Sequence, residues 1–465
     1  MPPISRASSK ASGQRSSPAT RLRRSDSSLQ TYRAPVHTGR GSFLCTRKDI
    51  RLSLILDFDA ALEQVQLRAA AFAEPKTESV PLLSSAGRVL AAPVVADRDQ
   101  PPFDRSTRDG FAVRADEAAA GPLRVVGQIR AGERWEGLNE AGSVLEPGCA
   151  IEIMTGAPVP PGADAVAMVE HVETTGKSIR MNAERVLHAG ENIVPRGREA
   201  RAGDAVLAVG TEVEAAEIAL AAACGCASLT VFRRPRVAIL ATGDELVDLD
   251  ATPDEQQIRN SNSYGLAALV ARAGGEADRL PIAPDRREEL ERLIAEARTS
   301  DLVLLSGGVS MGKYDLVEEV LASMGAEFFF TGVRMQPGKP VVFGRLPASG
   351  GQGERYFFGL PGNPVSTQVT FHCFVEPLLR AMAGAGISPP RFAQATLAED
   401  VLGKQGLTRF LPARMTPGRA RSMVRLIGWQ GSGDLAANAR ANCYAVLPPE
   451  KIRFMAGEVI SVLLR

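Results

Sequence analysis

Residues 236–245 read RVAILATGDE, an unbroken apolar run that breaks on Thr242-Gly243-Asp244-Glu245. A run this short and this apolar fits a strand buried on both faces, and the Gly-containing break fits a tight turn at its carboxyl end. The pattern repeats outward. NSYGLAALVARAGG (262–275) places Leu266, Leu269, Val270 and Ala273 on one helical face before a Gly-Gly stop. DRLPIA (278–283) reads as a strand, RREELERLIAEA (286–297) as a helix and DLVLLS (301–306) as a strand. YDLVEEVLASMG (314–325) is a helix, and RYFFGL (355–360) a strand that leads into a long helix after Pro364. Strands alternating with helices predict a doubly wound, mainly parallel α/β domain, with ligands outside the carboxyl ends of its strands.

On either side of this block the pattern differs. Leu62, Val65, Ala69 and Phe72 recur at helical spacing, with Asp57 or Asp59 as the expected N-cap. From about 105 to 195 the short runs LRVVGQI, AIEIM and AVAMVEHVE between Gly and Pro predict a β-rich domain. After about 385, RFAQATLAED, SMVRLIGW, CYAVLPP and EVISVLL predict a small all-β domain.

Composition bounds the function. The chain has 465 residues, 45% of them hydrophobic and 23% charged, enough apolar material for several cores. No apolar run approaches the ~20 residues that cross a bilayer. Residues 1–53 carry eleven Lys/Arg against two Asp/Glu, and the rest of the chain carries a net −8. That Ser-rich basic tail (1–50) lacks aliphatic periodicity and an apolar signal core, so it reads as a disordered extension. No nucleic-acid or membrane partner is expected. The six cysteines are scattered, and the CxC of Cys224 and Cys226 is not a zinc spacing, which fits a reducing, cytoplasmic setting. His37, His171, His188 and His372 form no cluster in the sequence, and no cysteine has a local activating partner, so covalent nucleophilic catalysis is not indicated.

Four turns remain to carry chemistry. They are residues 241–245, the SGGVSMG run at 306–312 followed by Asp315, LPGNP at 360–364, and QPGKP at 336–340. Gly-rich strand-to-helix turns can cradle phosphate oxygens, although each alone is equally an ordinary tight turn. Four converging on one sheet edge point to an anion site built around Gly307, Gly308 and Ser310, with Lys339 as the single cation. Glu245, Asp285 and Asp315 would repel phosphate in such a site. A divalent cation removes the conflict, and Mg²⁺ is commonly held by carboxylates together with substrate phosphates.

TGDEL, SGGVSMGKYD, MQPGKP and GLPGNPVS, in this order, resemble the molybdopterin-binding domain of the MoeA and gephyrin E-domain family. The resemblance extends to PPFDRSTRDGFAV (101–113), EIMTGAPVPPGADAV (152–166) and GWQGSGDLAANARAN (428–442), and covers about residues 54–465. It implies an elongated homodimer of four-domain subunits. Domain I would be discontinuous (51–104 and 196–234), domain II would be β-rich (105–195), domain III the α/β domain (235–385) and domain IV a small β-barrel (386–465). It implies a transferase that inserts molybdate into adenylylated molybdopterin with release of AMP. Molybdopterin adenylyltransferase upstream and apo-molybdoenzymes downstream are the protein partners to expect. The alternatives are the adenylyltransferase activity itself or a gephyrin-like scaffold.

Carried over by position, Asp109 and Thr155 resemble the domain II side of a site shared between subunits, and Glu199 sits where the family usually has an acid. Glu245, Asp285, Asp315, Asn262, Pro361 and Pro364 resemble the domain III side. Lys339 and Ser432 resemble the molybdate-binding pair. Gln336, Leu407 and Pro412 stand where the family offers Lys or Arg, and strand parity with Pro412 nominates Arg414, not Arg409, as the replacement.

The composition of the tail yields a first test. Protein beginning at Arg51 is expected to keep its fold and turnover, measured by thermal melting and AMP release; loss of either would give the tail a structural or functional role.

Overall fold

The computed structural model describes residues 54–71, 75–136, 144–308 and 316–465. The basic tail, Ser310 and Asp315 lie outside the described residues.

The α/β domain is built from β1 (Arg236–Ala241), α1 (Ser261–Arg272), β2 (Glu276–Arg279), α2 (Arg287–Ala297), β3 (Leu302–Ser306), α3 (Leu316–Ser323), β4 (Glu327–Phe330), β5 (Val342–Leu346), β6 (Arg355–Leu360), α4 (Pro364–Thr370) and α5 (Glu376–Met382). A π-helical turn, Phe371–Val375, joins the last two helices. The six strands lie in the order β2-β1-β3-β6-β5-β4. The β2–β1, β1–β3 and β3–β6 pairs are parallel, whereas β5 and β4 are added antiparallel.

Strand alternation explains why both faces are covered. Val237, Ile239, Leu302, Leu304, Phe358 and Leu360 enter one core with α1, α4 and α5. Their neighbours Ala238, Leu240, Val303, Leu305 and Phe357 enter a second core with α2 and α3. Each central strand is therefore apolar on both sides, as its sequence requires.

A second element belongs to the first of these cores. Strand Ile55–Leu56 pairs in parallel with Gly332–Val333, and helix Phe58–Ala69 buries Phe58, Ala61, Val65 and Ala69 against the α/β domain. Asp57 is its N-cap residue but makes no side-chain capping bond. The sequence expectation groups this helix with domain I. Periodicity marks a buried face but not the partner that buries it, and the partner here is α/β core.

Segments from the two ends of the expected domain I pair with each other: Thr77–Pro81 with Ser228–Phe232, and Val94–Val95 with Ala205–Leu207. Helix Ala215–Ala223 packs there, started by a capping box of Glu214 and Glu217. Between them lies a six-stranded sheet ordered Ala165–Met168, Gly110–Val113, Cys149–Ile153, Leu123–Ile129, Ser178–Met181 and Val172–Thr175. The C-terminal part is a small closed barrel of five strands. Thr408–Thr416 closes it by pairing with both Met423–Leu426 and Cys443–Leu447. It also holds a helix, Leu435–Arg440, that the all-β reading lacks. Six residues are too few to show helical periodicity, although Asp434 caps it by accepting from the Ala437 N–H at 2.9 Å.

Phe58 joins three parts of the chain. Its ring lies 5.6 Å from that of Phe374, after α4, and 5.2 Å from that of Phe410 in the barrel. Phe58→Ala should cost about 3–5 kcal/mol of unfolding free energy. Urea titration monitored by circular dichroism measures it, and a loss under ~1 kcal/mol would mean that the site collapses without harm.

Candidate functional site

The register of the sheet sets Ala241 beside Ser306, and Ser306 beside Leu360. Three carboxyl ends thus stop at one level, and the turns that follow them lie side by side. A cleft of about 740 Å³ opens there, lined by residues of all three turns (Thr242 and Glu245; Gly307 and Gly308; Pro361 to Pro364), by Arg259 to Asn262 and by Pro340. Gly433 and Leu435 from the barrel domain form a further wall.

The glycines serve two purposes. Gly307 and Gly308 have φ of 96° and 62°, a region that favours glycine. A Cβ on Gly307 would strike the Thr242 carbonyl, and one on Gly308 the Val317 side chain. Not every N–H in these turns is free for a ligand, as the sequence reading supposes. Gly243 donates to Ala283 O at 3.2 Å and Gly307 to Leu360 O at 3.2 Å. The N–H groups of Gly308, Gly362 and Asn363 have no partner among the described residues. Those are the donors that the described residues of these turns leave for an anion.

Asn262, in the first turn of α1, ties the second and third turns together. Its Nδ2 donates to Ser306 Oγ at 2.9 Å and to Gly362 O at 2.8 Å. Asn260 caps the same helix by accepting from Ser263 N at 3.2 Å. Glu245 is exposed on the cleft wall. Asp285 does not line the cleft; its carboxylate accepts from Thr242 Oγ1 at 2.8 Å, which holds it behind the first turn. The Asp285 N–H in turn donates to Asp244 Oδ1 at 3.1 Å. Among the described residues no three His, Cys, Asp or Glu side chains come together as a metal cage.

The cations are more dispersed than the sequence suggests. Lys339 is exposed, and its neighbour Pro340 is the residue of that turn that meets the cleft. Arg259, not singled out from the sequence, lines the cleft and donates to Ala251 O at 3.3 Å. Its only sequence signal is an arginine directly before a helix cap. Arg414 is exposed and reaches Arg440 O at 3.4 Å, at the end of helix Leu435–Arg440, without lining the cleft. Arg409 donates to Leu402 O at 2.8 Å.

The barrel is fastened to the cleft by its backbone and by a polar cluster. Ser432 O accepts from Val365 N at 3.0 Å, in the first turn of α4. One turn on, Gln368 Oε1 accepts from Asn438 Nδ2 at 2.9 Å and from Arg465 Nη2 at 3.1 Å. Tyr444 donates to Asn438 Oδ1 at 2.9 Å, and burial pushes the Tyr444 hydroxyl up to about 12.

Asp109 and Thr155 form a pair of their own. Asp109 Oδ1 accepts from the Thr155 N–H at 2.6 Å and the Thr155 hydroxyl at 2.7 Å. Glu199 pairs with Arg105 at 3.0 Å. None of the three lines the cleft of its own chain.

Fold and cleft together define a class: an α/β domain with glycine-rich turns at its carboxyl edge, carried between a two-part N-terminal region and a barrel. Residues 56–225 match the MoeA N-terminal region (domain I and II), 238–381 the probable molybdopterin binding domain, and 394–464 the MoeA C-terminal region (domain IV). The chain is 36% identical over 397 residues to the molybdopterin molybdenumtransferase of Nostoc sp., covering 83% of this chain and 88% of that one. It is 34% identical over 396 residues to the enzyme of the same name from Staphylococcus aureus, covering 83% and 90%. A molybdopterin biosynthesis MoeA protein from Pyrococcus horikoshii superposes with a TM-score of 0.70 at 27% identity, covering 88% of this chain and 100% of that one. A second such structure gives 0.66 at 30% identity, covering 88% and 99%. The chain belongs to the MoeA family of molybdopterin molybdenumtransferases.

The hydrogen bonds from Thr155, the backbone one first, hold the Asp109 carboxyl below its ordinary value of 3.8. The pairing favours the ionised form, so its contribution is full above the ordinary value and disappears as pH falls through the lowered one. In Thr155→Val the hydroxyl bond is lost and the Asp109 carboxyl should titrate closer to 3.8. Carbon-detected NMR titration reads this directly, and an unchanged midpoint would show that the backbone bond alone sets it.

Proposed function

We propose that this protein inserts molybdate into adenylylated molybdopterin, releasing AMP and leaving the molybdenum cofactor. The observation that carries this reading is the convergence of three strand-to-helix turns on one cleft, with the N–H groups of Gly308, Gly362 and Asn363, unpaired among the described residues, in its wall. Such donors suit the phosphates of the nucleotide substrate. Asn262 sets the spacing of the second and third turns, and Pro361 and Pro364 hold the third turn open. Molybdate enters as a second anion, met by Lys339, Arg259 and the Ser432 loop, with Arg414 as a more distant cation. A molybdate oxygen attacks the molybdopterin-side phosphorus of the anhydride and AMP leaves; the two dithiolene sulfurs then displace oxygen from the metal, which departs as water, with no change of redox state.

The donor set fits magnesium. Glu245 presents an exposed carboxylate to the cleft, Asp285 stands one hydrogen bond behind Thr242, and Asp315 follows the second turn in sequence. One or two carboxylates with substrate phosphates are the usual magnesium environment, so Glu245 with one further carboxylate would hold the ion, which would supply positive charge against the anhydride. The protein residues position both anions and exclude water from between them.

Asp109, Thr155 and Glu199 take part from the other subunit of a homodimer in this reading. Their absence from the lining of their own chain's cleft supports it. The enzyme acts in the cytoplasm, receives its substrate from molybdopterin adenylyltransferase and passes product to apo-molybdoenzymes. The described cysteines are free thiols, in keeping with that compartment.

Purified protein with adenylylated molybdopterin, Mg²⁺ and molybdate should release AMP and reconstitute an apo-molybdoenzyme; AMP release that ignores molybdate would refute the reading. Asp315→Asn and Asp109→Asn should each abolish turnover without unfolding the protein. Mixed dimers of the two variants should regain about half of the wild-type rate, one intact site of two, and mixed dimers that stay inactive would rule out the shared site.

A further inference from the structure

The far end of α1 borders a different cavity. Asn262 stands at the cleft end of this helix, and Arg272, about 15 Å along its axis, lines a partly open cavity of about 260 Å³. The cavity lies between the domain I strands and the carboxyl ends of α1 and α5.

Four arginines line it, Arg88, Arg234, Arg272 and Arg380, against one carboxylate, Glu212. Glu212 is engaged by Arg380 at 2.8 Å. Arg88 is 8% exposed and uses only Nη2, toward Glu78 and toward Phe232 O at 2.9 Å. Its Nη1 and Nε have no partner among the described residues. Arg234 and Arg272 have neither an ion pair nor a hydrogen-bond acceptor among the described residues. The two helix ends bring roughly half a negative charge each, which leaves the guanidinium charge in excess. Small residues, among them Gly87, Ala271 and Gly274, keep the space open.

We propose that this cavity is a second anion site, distinct from the catalytic cleft, that takes a small phosphate-class oxyanion. Guanidinium forks converging from two domains match such a ligand in charge and in donor geometry. The volume of about 260 Å³ admits inorganic phosphate or diphosphate. Because Arg88 and Arg234 belong to domain I and Arg272 and Arg380 to the α/β domain, the bound anion cross-links the two and stabilises their junction.

Calorimetric titration of the full-length protein with inorganic phosphate and with diphosphate, at low ionic strength, tests this. The Arg234→Ser/Arg272→Ser variant should bind at least tenfold more weakly at one site, with turnover unchanged, whereas Lys339→Ala should leave that site intact. In the wild-type protein, phosphate should slow hydrogen exchange at 271–274 and 383–385, a readout that needs no substitution. Equal isotherms for the double variant and wild type, or binding that disappears wholly with Lys339→Ala, would overturn the proposal. So would exchange at 271–274 that phosphate does not alter.

Discussion

The parallel pairing of β1, β3 and β6 is the constraint on which the rest of the molecule depends. These three strands are apolar on both faces, so the chain can satisfy them only by burying them between two helical layers. Once they are buried, their backbone groups must pair with one another, and the register places Ala241, Ser306 and Leu360 in line. Three turns distant in sequence then meet at one edge. Slipping a strand by one residue would exchange its two faces between the cores and break the line of turns.

The cleft is nevertheless not the property of the α/β domain alone. Val365, Gln368, Asn438, Tyr444 and Arg465 form a polar seam that seats the barrel on α4. Most of its groups are partly buried and satisfied, so loss of one partner leaves the others desolvated without a bond. The loop with Ser432 and Gly433 owes its place to this seam. The N-terminal helix acts on the other side, where Phe58 touches rings from both domains.

The electrostatics of the cleft rest on few groups. Two of the glycine N–H donors are spent on the turns themselves, and one of the expected carboxylates is tethered by Thr242. Among the described residues, what faces the cleft is a sparse set of backbone donors, Glu245 and Arg259, with Lys339 at the margin.

The sequence by itself determined the α/β class, the β-rich C-terminal part, the turns that bear the site and the family resemblance. These are local facts: apolar periodicity, Gly and Pro at turns, and contiguous motifs. Only the tertiary structure decided the rest. It assigned helix Phe58–Ala69 to the α/β core, because an amphipathic pattern does not name its partner. It brought Arg259 to the cleft and left Arg414 at the end of helix Leu435–Arg440, because side-chain parity along a strand says nothing of what lies opposite. It spent the N–H groups of Gly243 and Gly307 within the fold, and it gathered arginines from positions 88 to 380 around one cavity. Contacts of that kind join residues hundreds of positions apart, and no spacing in the chain records them.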